Sequence, residues 1–423
     1  MACKTGVTDE GRPSTKIWLN CVGTFGITSA SYHFTRLFGA VMRAGASLRG
    51  RPEMFELGYV DDILYLARGR EAVVGIWLSL LFLYVAGTPF SWHKFGGGAW
   101  AQWIGFEIQL REGTLGMSEK RLRWARDWME KILANKVVAT EEFRSALGRL
   151  SFMMSAFEHL KPFSGPLYSW VCAVEHCPML QVPAGVLMIL HFLKRVMVEG
   201  VACTRIRPKS VGEEPDHWFR SDAKAEGEKI VLGGWCTADS KERAKCRWFS
   251  VELDRVTAPW AYEAGEPFRA IAALELLGTM VSVLAFSGKE GVQRFNLSAG
   301  TDNVGNRHVM SRLLTTKFPL CVVLMRLAWE LHGRNIDLRL DWLPRLQNRE
   351  ADALTNSEFE GFDPKLRIHV GPGELVTGVF KELMDKGATL YKEVKELREK
   401  RKGRPKEGLT RAKKTKVSTL DPW

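Results

Sequence analysis

Long apolar runs are missing from this sequence. Its most apolar stretch, residues 72–86, is shorter than the ~20 residues that a membrane-spanning helix requires. It ends at Gly87-Thr88-Pro89, so it predicts a core helix running into a loop. The opening MACKTGVTDEGRPS has no apolar segment of the kind that directs secretion. These absences predict an intracellular protein, nuclear or cytoplasmic, neither secreted nor held in a membrane. Paired cysteines are missing too. The eight cysteines are scattered. The nearest two, Cys172 and Cys177 in CAVEHC beside His176, are followed by no second pair at zinc-finger spacing. Buried free thiols in a reducing compartment fit this better than disulfides or zinc. Acidic residues are in deficit, with 48 Asp and Glu against 60 Lys and Arg and a net charge of +12. That balance favours a polyanionic partner, nucleic acid before a membrane surface. No internal repeat is present.

What is present suffices for a folded protein. A 46% hydrophobic content supports a sizeable core, and 423 residues fit two or three domains. Residues 1–115 mix short strands with apolar helices. Residues 116–203 read as mainly helical: EKRLRWARDWMEKILANK is amphipathic, and TEEFRSALGRLSFMMSAF opens with Thr140 as its expected N-cap. TRIRPKSVGEEPD, residues 204–216, predicts a link between domains. Residues 217–360 alternate strand-like and helix-like segments. A charged segment, 374–423, begins with a helical pattern and ends in basic, Gly/Pro-broken sequence.

The segment LGYVDDILYLARG, residues 57–69, places Asp61 and Asp62 between apolar runs that alternate like a β-hairpin. Adjacent carboxylates are common in solvated turns. They also hold Mg²⁺ against phosphate oxygens in phosphoryl transfer. Upstream, IWLNCVGTFGITSASYHFTRLFGAV reads as a strand, a turn at Phe25-Gly26 and a helix from about Ser29. The small residues there either pack tightly or let a nucleic-acid strand approach the backbone. Downstream, Lys94 follows a short strand and precedes three glycines, where a lysine can neutralise a leaving pyrophosphate. WIGFEI, residues 103–108, alternates like a strand with an aromatic face.

A second set of acids lies beyond the link. WFRSDAKAEGEKIVLGGW puts Asp222 at the expected end of a strand, with a Gly-Gly-Trp strand returning beside it. FRAIAALELLGTMVSVLAF is a helix with Glu275 in an apolar stretch, where a lone charge needs a partner or a metal. FNLSAGTDNVGNRHVM places Asp302 at a strand end before a helix, and DWLPRLQNREADALTN gives a loop and a helix bearing Asp352. Singly, each has an ordinary explanation as a turn, a helix-face charge, an N-cap or a solvated residue. Together, four carboxylates at strand–helix–strand–helix positions suit two divalent cations and phosphodiester hydrolysis. Asp216 and Asp341 are lesser candidates.

In order, FGITSASYHFTR, YVDD, SWHK and WIGFEI resemble the palm of a reverse transcriptase over about residues 16–115. The resemblance implies that Asp61 and Asp62 bind the catalytic metals and that Lys94 serves the pyrophosphate. It also implies that Phe25, Gly26, Ser29 and Arg36 contact template or incoming nucleotide, that Tyr59 lies at the substrate, and that Trp103 and Gly105 belong to a primer-gripping hairpin. DAK…GGW, LEL, TDN and WLPRLQNREADALT resemble the RNase H domain of retroelement polyproteins, of DIRS type or the related Ty3-like group. That implies Asp222, Glu275, Asp302 and Asp352 as metal ligands, Mg²⁺ or Mn²⁺ as cofactor, and RNA template, DNA primer and RNA–DNA hybrid as partners. The expected fold class is α+β and α/β: a partial palm, a helical thumb or connection, an RNase H-like mixed sheet and a basic tail. Lys224 departs from the family, which carries a small residue there, and a lysine beside the metals competes with a cation.

A reverse-transcriptase palm has one more aspartate, on a strand well before the Phe-Gly turn. Only 24 residues precede Phe25, and their one aspartate, Asp9, sits among Gly6, Gly11 and Pro13 as in a loop. The expectation is therefore an N-terminally truncated chain that does not polymerise DNA alone, with a catalytically silent nucleic-acid-binding relic as the alternative to a working nuclease. The basic run 398–416 suits phosphate binding, a nuclear-localisation signal or a solvated tail, and KGRPK within it resembles an AT-hook core.

Overall fold

The computed structural model describes residues 2–4, 17–19, 30–49, 53–174, 178–198, 203–205, 217–287 and 295–402. The chain is a mixed α and β protein in two units, Met1–Ile108 and Gln109–Trp423. Phe25, Gly26, Ser29, Asp9, His176, Cys177, Asp216 and residues 403–406 of KGRPK lie outside the described residues, as does all but the start of the 204–216 link.

In the first unit, strands β1 (Ala2–Lys4) and β2 (Ile17–Leu19) pair antiparallel and helix α1 spans Ala30–Leu48. Strands β3 (Met54–Tyr59) and β4 (Asp62–Ala67) form the antiparallel hairpin expected of the YVDD segment, with Tyr59 opposite Asp62. Helix α2 (Gly69–Val85) follows. The helix is where the sequence puts it, but it is not a core helix. Its buried residues are Ala72, Gly75, Ser79 and Leu83, whereas Trp77, Leu81 and Tyr84 are exposed. The reason is close helix packing. A Cβ on Gly45 of α1 would lie 2.9 Å from the Phe82 ring, so the absence of a side chain at Gly45 lets the Phe82 ring of α2 close against α1. Arg49, at the end of α1, ion-pairs with Glu56 of β3 and donates to Ser79 Oγ of α2 at 2.7 Å, tying the hairpin to both helices. Strands β5 (Trp100–Trp103) and β6 (Phe106–Gln109) are neighbours in one sheet. WIGFEI, which alternates like one strand, is two strands turning at Ile104 and Gly105, both with positive φ (45° and 90°), the hairpin form that the resemblance implied at these residues.

The second unit opens with β7 (Thr114–Met117) and α3 (Glu119–Asn135), whose buried Leu122, Ala125, Trp128, Met129 and Ile132 follow helical spacing. Next come β8 (Val137–Ala139), α4 (Thr140–Met153), α5 (Ser164–Ala173), β9 (Met179–Gln181), α6 (Ala184–Val198) and β10 (Cys203–Arg205). The N-cap of α4 is Ala139, and Thr140 is its buried first helical residue. Strand β10 pairs with β7, so the first residues read as a link are in a sheet.

A five-stranded sheet follows, in the order β13-β12-β11-β14-β15. Strands β11 (Phe219–Glu226), β12 (Lys229–Trp235) and β13 (Trp248–Leu253) are antiparallel. Helix α7 (Ile271–Phe286) leads to β14 (Phe295–Thr301), parallel to β11, and helices α8 (Val304–Arg312) and α9 (Leu320–Gly333) lead to β15 (Ile336–Trp342), parallel to β14. Helix α10 (Arg349–Thr355) packs back on β11 and β12. The Gly-Gly-Trp motif has a two-sided steric reason. A Cβ on Gly233 would lie 2.8 Å from Leu354 Cβ of α10, and one on Gly234 would lie 2.7 Å from Ser282 Oγ of α7 and from the Phe249 ring. Contrary to the expectation that no long apolar run is present, Pro267–Phe286 is long and apolar enough to cross a bilayer by composition, and here it is largely buried as a core helix beside the sheet. Helix α11 (Gly378–Lys402), drawn from the charged C-terminal segment, buries Phe380, Leu383, Met384 and Val394 and packs against α5, α6 and α9. Of the free cysteines among the described residues, Cys236, Cys246 and Cys321 are buried and Cys172 is exposed.

Candidate metal centre

Three of the four acids singled out in the second unit meet. Ligand oxygens of Asp222, Glu275 and Asp302 lie within 4.8 Å of one another. Asp222 is not at a strand end. It sits mid-strand in β11, opposite Gly233, and is 9% exposed. Glu275 reaches it from the first half of α7, whose backbone comes close because Gly278 faces the strand: a Cβ there would lie 3.3 Å from the Asp222 carbonyl oxygen. Asp302 follows the last residue of β14. Its position is fixed by Trp342 Nε1, which donates to its carbonyl at 3.0 Å, and by Asn306 of α8, whose Nδ2 donates to Ala272 O of α7 at 2.9 Å. The N-cap of α8 is Asn303, which accepts from Asn306 N–H, and not Asp302.

Like charges this close raise the cost of ionisation. Burial first, then the charges of Asp302 and Asp352, push the Asp222 carboxyl up to about 7, with Arg345 and the Ala223 N–H pulling the other way. Burial, then Asp302 and Asp222, push Glu275 up to about 8, opposed by a hydrogen bond from Asn303. Glu275 Oε2 and Asp302 Oδ1 are buried without a hydrogen-bond partner. Buried polar atoms are nearly always satisfied, and two clustered carboxylate oxygens left without donors suit a cation. An all-oxygen donor set fits the hard ions Mg²⁺ and Mn²⁺.

Asp352, the fourth acid, stands outside this group. Its Oδ1 accepts from Arg345 Nη2 at 3.0 Å and its Oδ2 from Asn356 Nδ2 at 3.3 Å. Lys224 lies two residues from Asp222 on the same face of β11. Its ammonium is engaged by Glu226 at 2.8 Å and by Asn356 Oδ1 at 3.0 Å. Asp341 pairs with Arg339 at 2.8 Å. The sequence reading missed Asn348, which is 1% exposed and donates from Nδ2 to Ser221 O at 3.2 Å, anchoring the loop before α10 to the strand of Asp222. Its place four residues before Asp352 in NREAD was the available signal. Arg345, Asn306 and Gly278 were missed as well.

In the first unit, Asp61 occupies the turn of the β3–β4 hairpin and Asp62 opens β4, and both are exposed. The turn carries Val60 at φ 57°, an unfavourable conformation for a β-branched residue. Among the described residues no third carboxylate, histidine or cysteine joins Asp61 and Asp62 at metal-binding distance. Tyr59 is exposed beside them, Lys94 is exposed in a short 3₁₀ turn (Trp92–Lys94), and Trp103 and Gly105 are half-buried at the β5–β6 turn. Arg36 is exposed on α1, its guanidinium on the Tyr32 ring and hydroxyl.

No family model matches the chain, and no curated protein matches it. Among solved structures it is similar to a foamy viral protease–reverse transcriptase in complex with double-stranded DNA (14% identity, TM-score 0.33), covering 74% of this chain and 50% of that one. The match to the foamy viral protein in complex with an RNA/DNA hybrid has 14% identity and TM-score 0.33, covering 76% and 39%. RNase H1 from the halophilic archaeon Halobacterium salinarum matches at 14% identity and TM-score 0.23, over 34% of this chain and 96% of that one. The chain thus spans half the length of the first of these proteins.

Proposed function

We propose that the second unit is a divalent-metal-dependent nuclease of RNase H type, cleaving the RNA strand of RNA–DNA hybrids, in a fragment of a retroelement reverse transcriptase. The observation that carries this reading is the Asp222–Glu275–Asp302 cluster with two buried oxygens left without donors. Asp222, Glu275 and Asp302 would hold Mg²⁺ or Mn²⁺, with Asp352 beside them. When bound, the ion would stabilise the charge that develops on the phosphate oxygens during hydrolysis. The protein's own part is to fix three carboxylates on β11, α7 and the β14–α8 junction before any ligand arrives. The net charge of +12 suits a nucleic-acid partner.

The test is cleavage of a labelled RNA strand in an RNA–DNA hybrid, with Mg²⁺ and with Mn²⁺, beside Asp302→Asn. Cleavage by the wild type that is lost in Asp302→Asn is expected. A second reading, a catalytically silent nucleic-acid-binding relic, is favoured by one observation: Asp352 is already neutralised by Arg345. Absence of cleavage by folded protein that still binds the hybrid in a salt-sensitive way would select it.

We also propose a partial polymerase palm over residues 1–115, in which Asp61 and Asp62 mark the metal hairpin, Lys94 serves the pyrophosphate and the Trp103–Gly105 turn grips the primer, with residues 116–203 of the second unit as a thumb or connection. Among the described residues Asp61 and Asp62 have no further ligand, and we propose that this chain alone does not extend a primer. Template-dependent extension abolished by Asp62→Asn would overturn that. An intracellular setting, nuclear or cytoplasmic, belongs to the same proposal.

A further inference from the structure

A positive group, Arg345, acts on the carboxylate cluster of the second unit and lowers the cost of ionising Asp222. Arg345 sits in a short 3₁₀ turn (Arg345–Gln347) between β15 and α10. The backbone around it is fixed, with Leu343 N–H donating to Thr301 O at 2.8 Å and Asn348 Nδ2 donating to Ser221 O at 3.2 Å. The side chain is not fixed in the same way. It is 77% exposed and reaches Asp352 Oδ1 from Nη2 at 3.0 Å. Asp352 is the main group favouring its charged form, and Asp222 and Asp302 contribute as well. The guanidinium therefore stands in the field of three acids of the site, where a cation is expected, and on the acid that stays outside the cluster. On the other side of Asp352, Asn356 holds Oδ2 and is itself held by Lys224. Oδ1 is thus closed by an exposed guanidinium and Oδ2 by the Asn356 amide.

We propose that Arg345 is a latch on Asp352: it covers Oδ1 in the free protein, and a backbone phosphate of the nucleic acid draws it away, freeing Asp352 to join Asp222, Glu275 and Asp302 at the cation. The inference rests on the nuclease reading above and deepens it by coupling substrate to metal. Three physical points carry it. An exposed ion pair is weak and easily exchanged. A guanidinium pairs with phosphate oxygens at least as well as with a carboxylate, because its planar fork matches both. Coupling is reciprocal, so if nucleic acid tightens cation binding, the cation must tighten nucleic-acid binding by the same factor. An enzyme arranged in this way gathers its full ligand set only when substrate is present.

The test is Mn²⁺ binding to the full chain by electron paramagnetic resonance, with and without a hybrid whose RNA strand is 2′-O-methylated. Without the hybrid, Arg345→Gln binds Mn²⁺ tighter than the wild type by up to roughly fivefold, the factor that corresponds to an exposed ion pair. Arg345→Lys, which keeps the charge, stays close to the wild type. Adding the hybrid tightens Mn²⁺ binding more in the wild type than in Arg345→Gln. Equal Mn²⁺ affinity of wild type and Arg345→Gln, or equal gains on adding the hybrid, overturns the latch. If Asp302→Asn abolishes Mn²⁺ binding in that same experiment, the metal centre stands while the latch falls. If Asp302→Asn binds Mn²⁺ as the wild type does, the centre and the latch fall together.

Discussion

Removing the charge of Asp222 should stabilise the metal-free protein, and by an amount that depends on pH. Below about pH 4 carboxyls keep their protons in folded and unfolded chains alike, so the cluster costs nothing. As pH rises, the unfolded chain releases its protons first. The folded chain retains them until about pH 7 at Asp222 and about pH 8 at Glu275. The unfolded state therefore binds fewer protons across this window, and stability falls as pH rises through it. Moving the Asp222 carboxyl from 3.8 to about 7 corresponds to about 4 kcal/mol once it is ionised. Asp222→Asn keeps the shape without the charge. It should be more stable than the wild type at pH 8 without metal by on the order of 2 kcal/mol, since the amide also loses part of the Ala223 hydrogen bond. At pH 4 the two should be nearly equal. Metal should reverse the order, because an ion at a hundredfold its dissociation constant adds ~2.7 kcal/mol to the wild type alone. The assay is hydrogen exchange of the β11 and β12 amides, corrected for intrinsic rates, in EDTA and in Mn²⁺. Equal protection of the wild type at pH 5 and pH 8 in EDTA would refute the reasoning. So would Asp222→Asn showing no gain at pH 8.

Other outcomes follow from single features. Val60→Gly should stabilise the β3–β4 hairpin by about 1 kcal/mol, because glycine adopts positive φ without the cost borne by a β-branched side chain. Slower amide exchange in Leu57 and Leu64 would register it, and unchanged exchange would count against strain at the turn. Leu383→Ala on α11, where Leu383 is 2% exposed, should cost ~2–5 kcal/mol by leaving a cavity. A lowered urea midpoint checks it, and an unchanged midpoint would show that α11 is not part of the core.

The acids of the second unit were legible because each interrupts an apolar or periodic segment, Asp222 in β11, Glu275 in α7, Asp302 after β14 and Asp352 in α10. Their convergence was less so. Asp222 reads as a strand end because Lys224, Glu226 and Glu228 look like turn chemistry, yet β11 runs on to Glu226 with Lys224 and Glu226 neutralising each other. Asp352 belongs to the same sequence pattern but is drawn off by Arg345, a pairing between a loop and a helix that spacing does not disclose. The length of α2 was legible and its environment was not. Periodicity reports apolar faces, whereas the buried positions of α1 and α2 include Gly45, Gly75 and Ser79, residues that carry almost no hydropathic signal. Helix α11 shows the opposite case. Its charges dominate the composition, while Phe380, Leu383, Met384 and Val394 form a thin stripe that suffices to dock it. In WIGFEI the alternation was real, but Ile104 and Gly105 turn it back on itself, and a β-branched residue is a poor advertisement for a positive-φ turn.

The two adjacent glycines of β12 divide the history this sheet can have. Gly233 is confined by α10 and Gly234 by α7, so the two positions answer to different neighbours although they share a peptide bond. A side chain gained at Gly233 presses on Leu354, Thr355 and the Ala351 carbonyl, so compensation must come from a shift of α10, whereas one gained at Gly234 presses on Phe249 and Ser282 and is compensated there. Neither compensation helps the other. Because β12 lies directly beside the strand of Asp222, drift at either codon shifts the floor on which the carboxylates stand. Second-site suppressors of lesions here should sort into two groups that never exchange members, one for each face of the sheet.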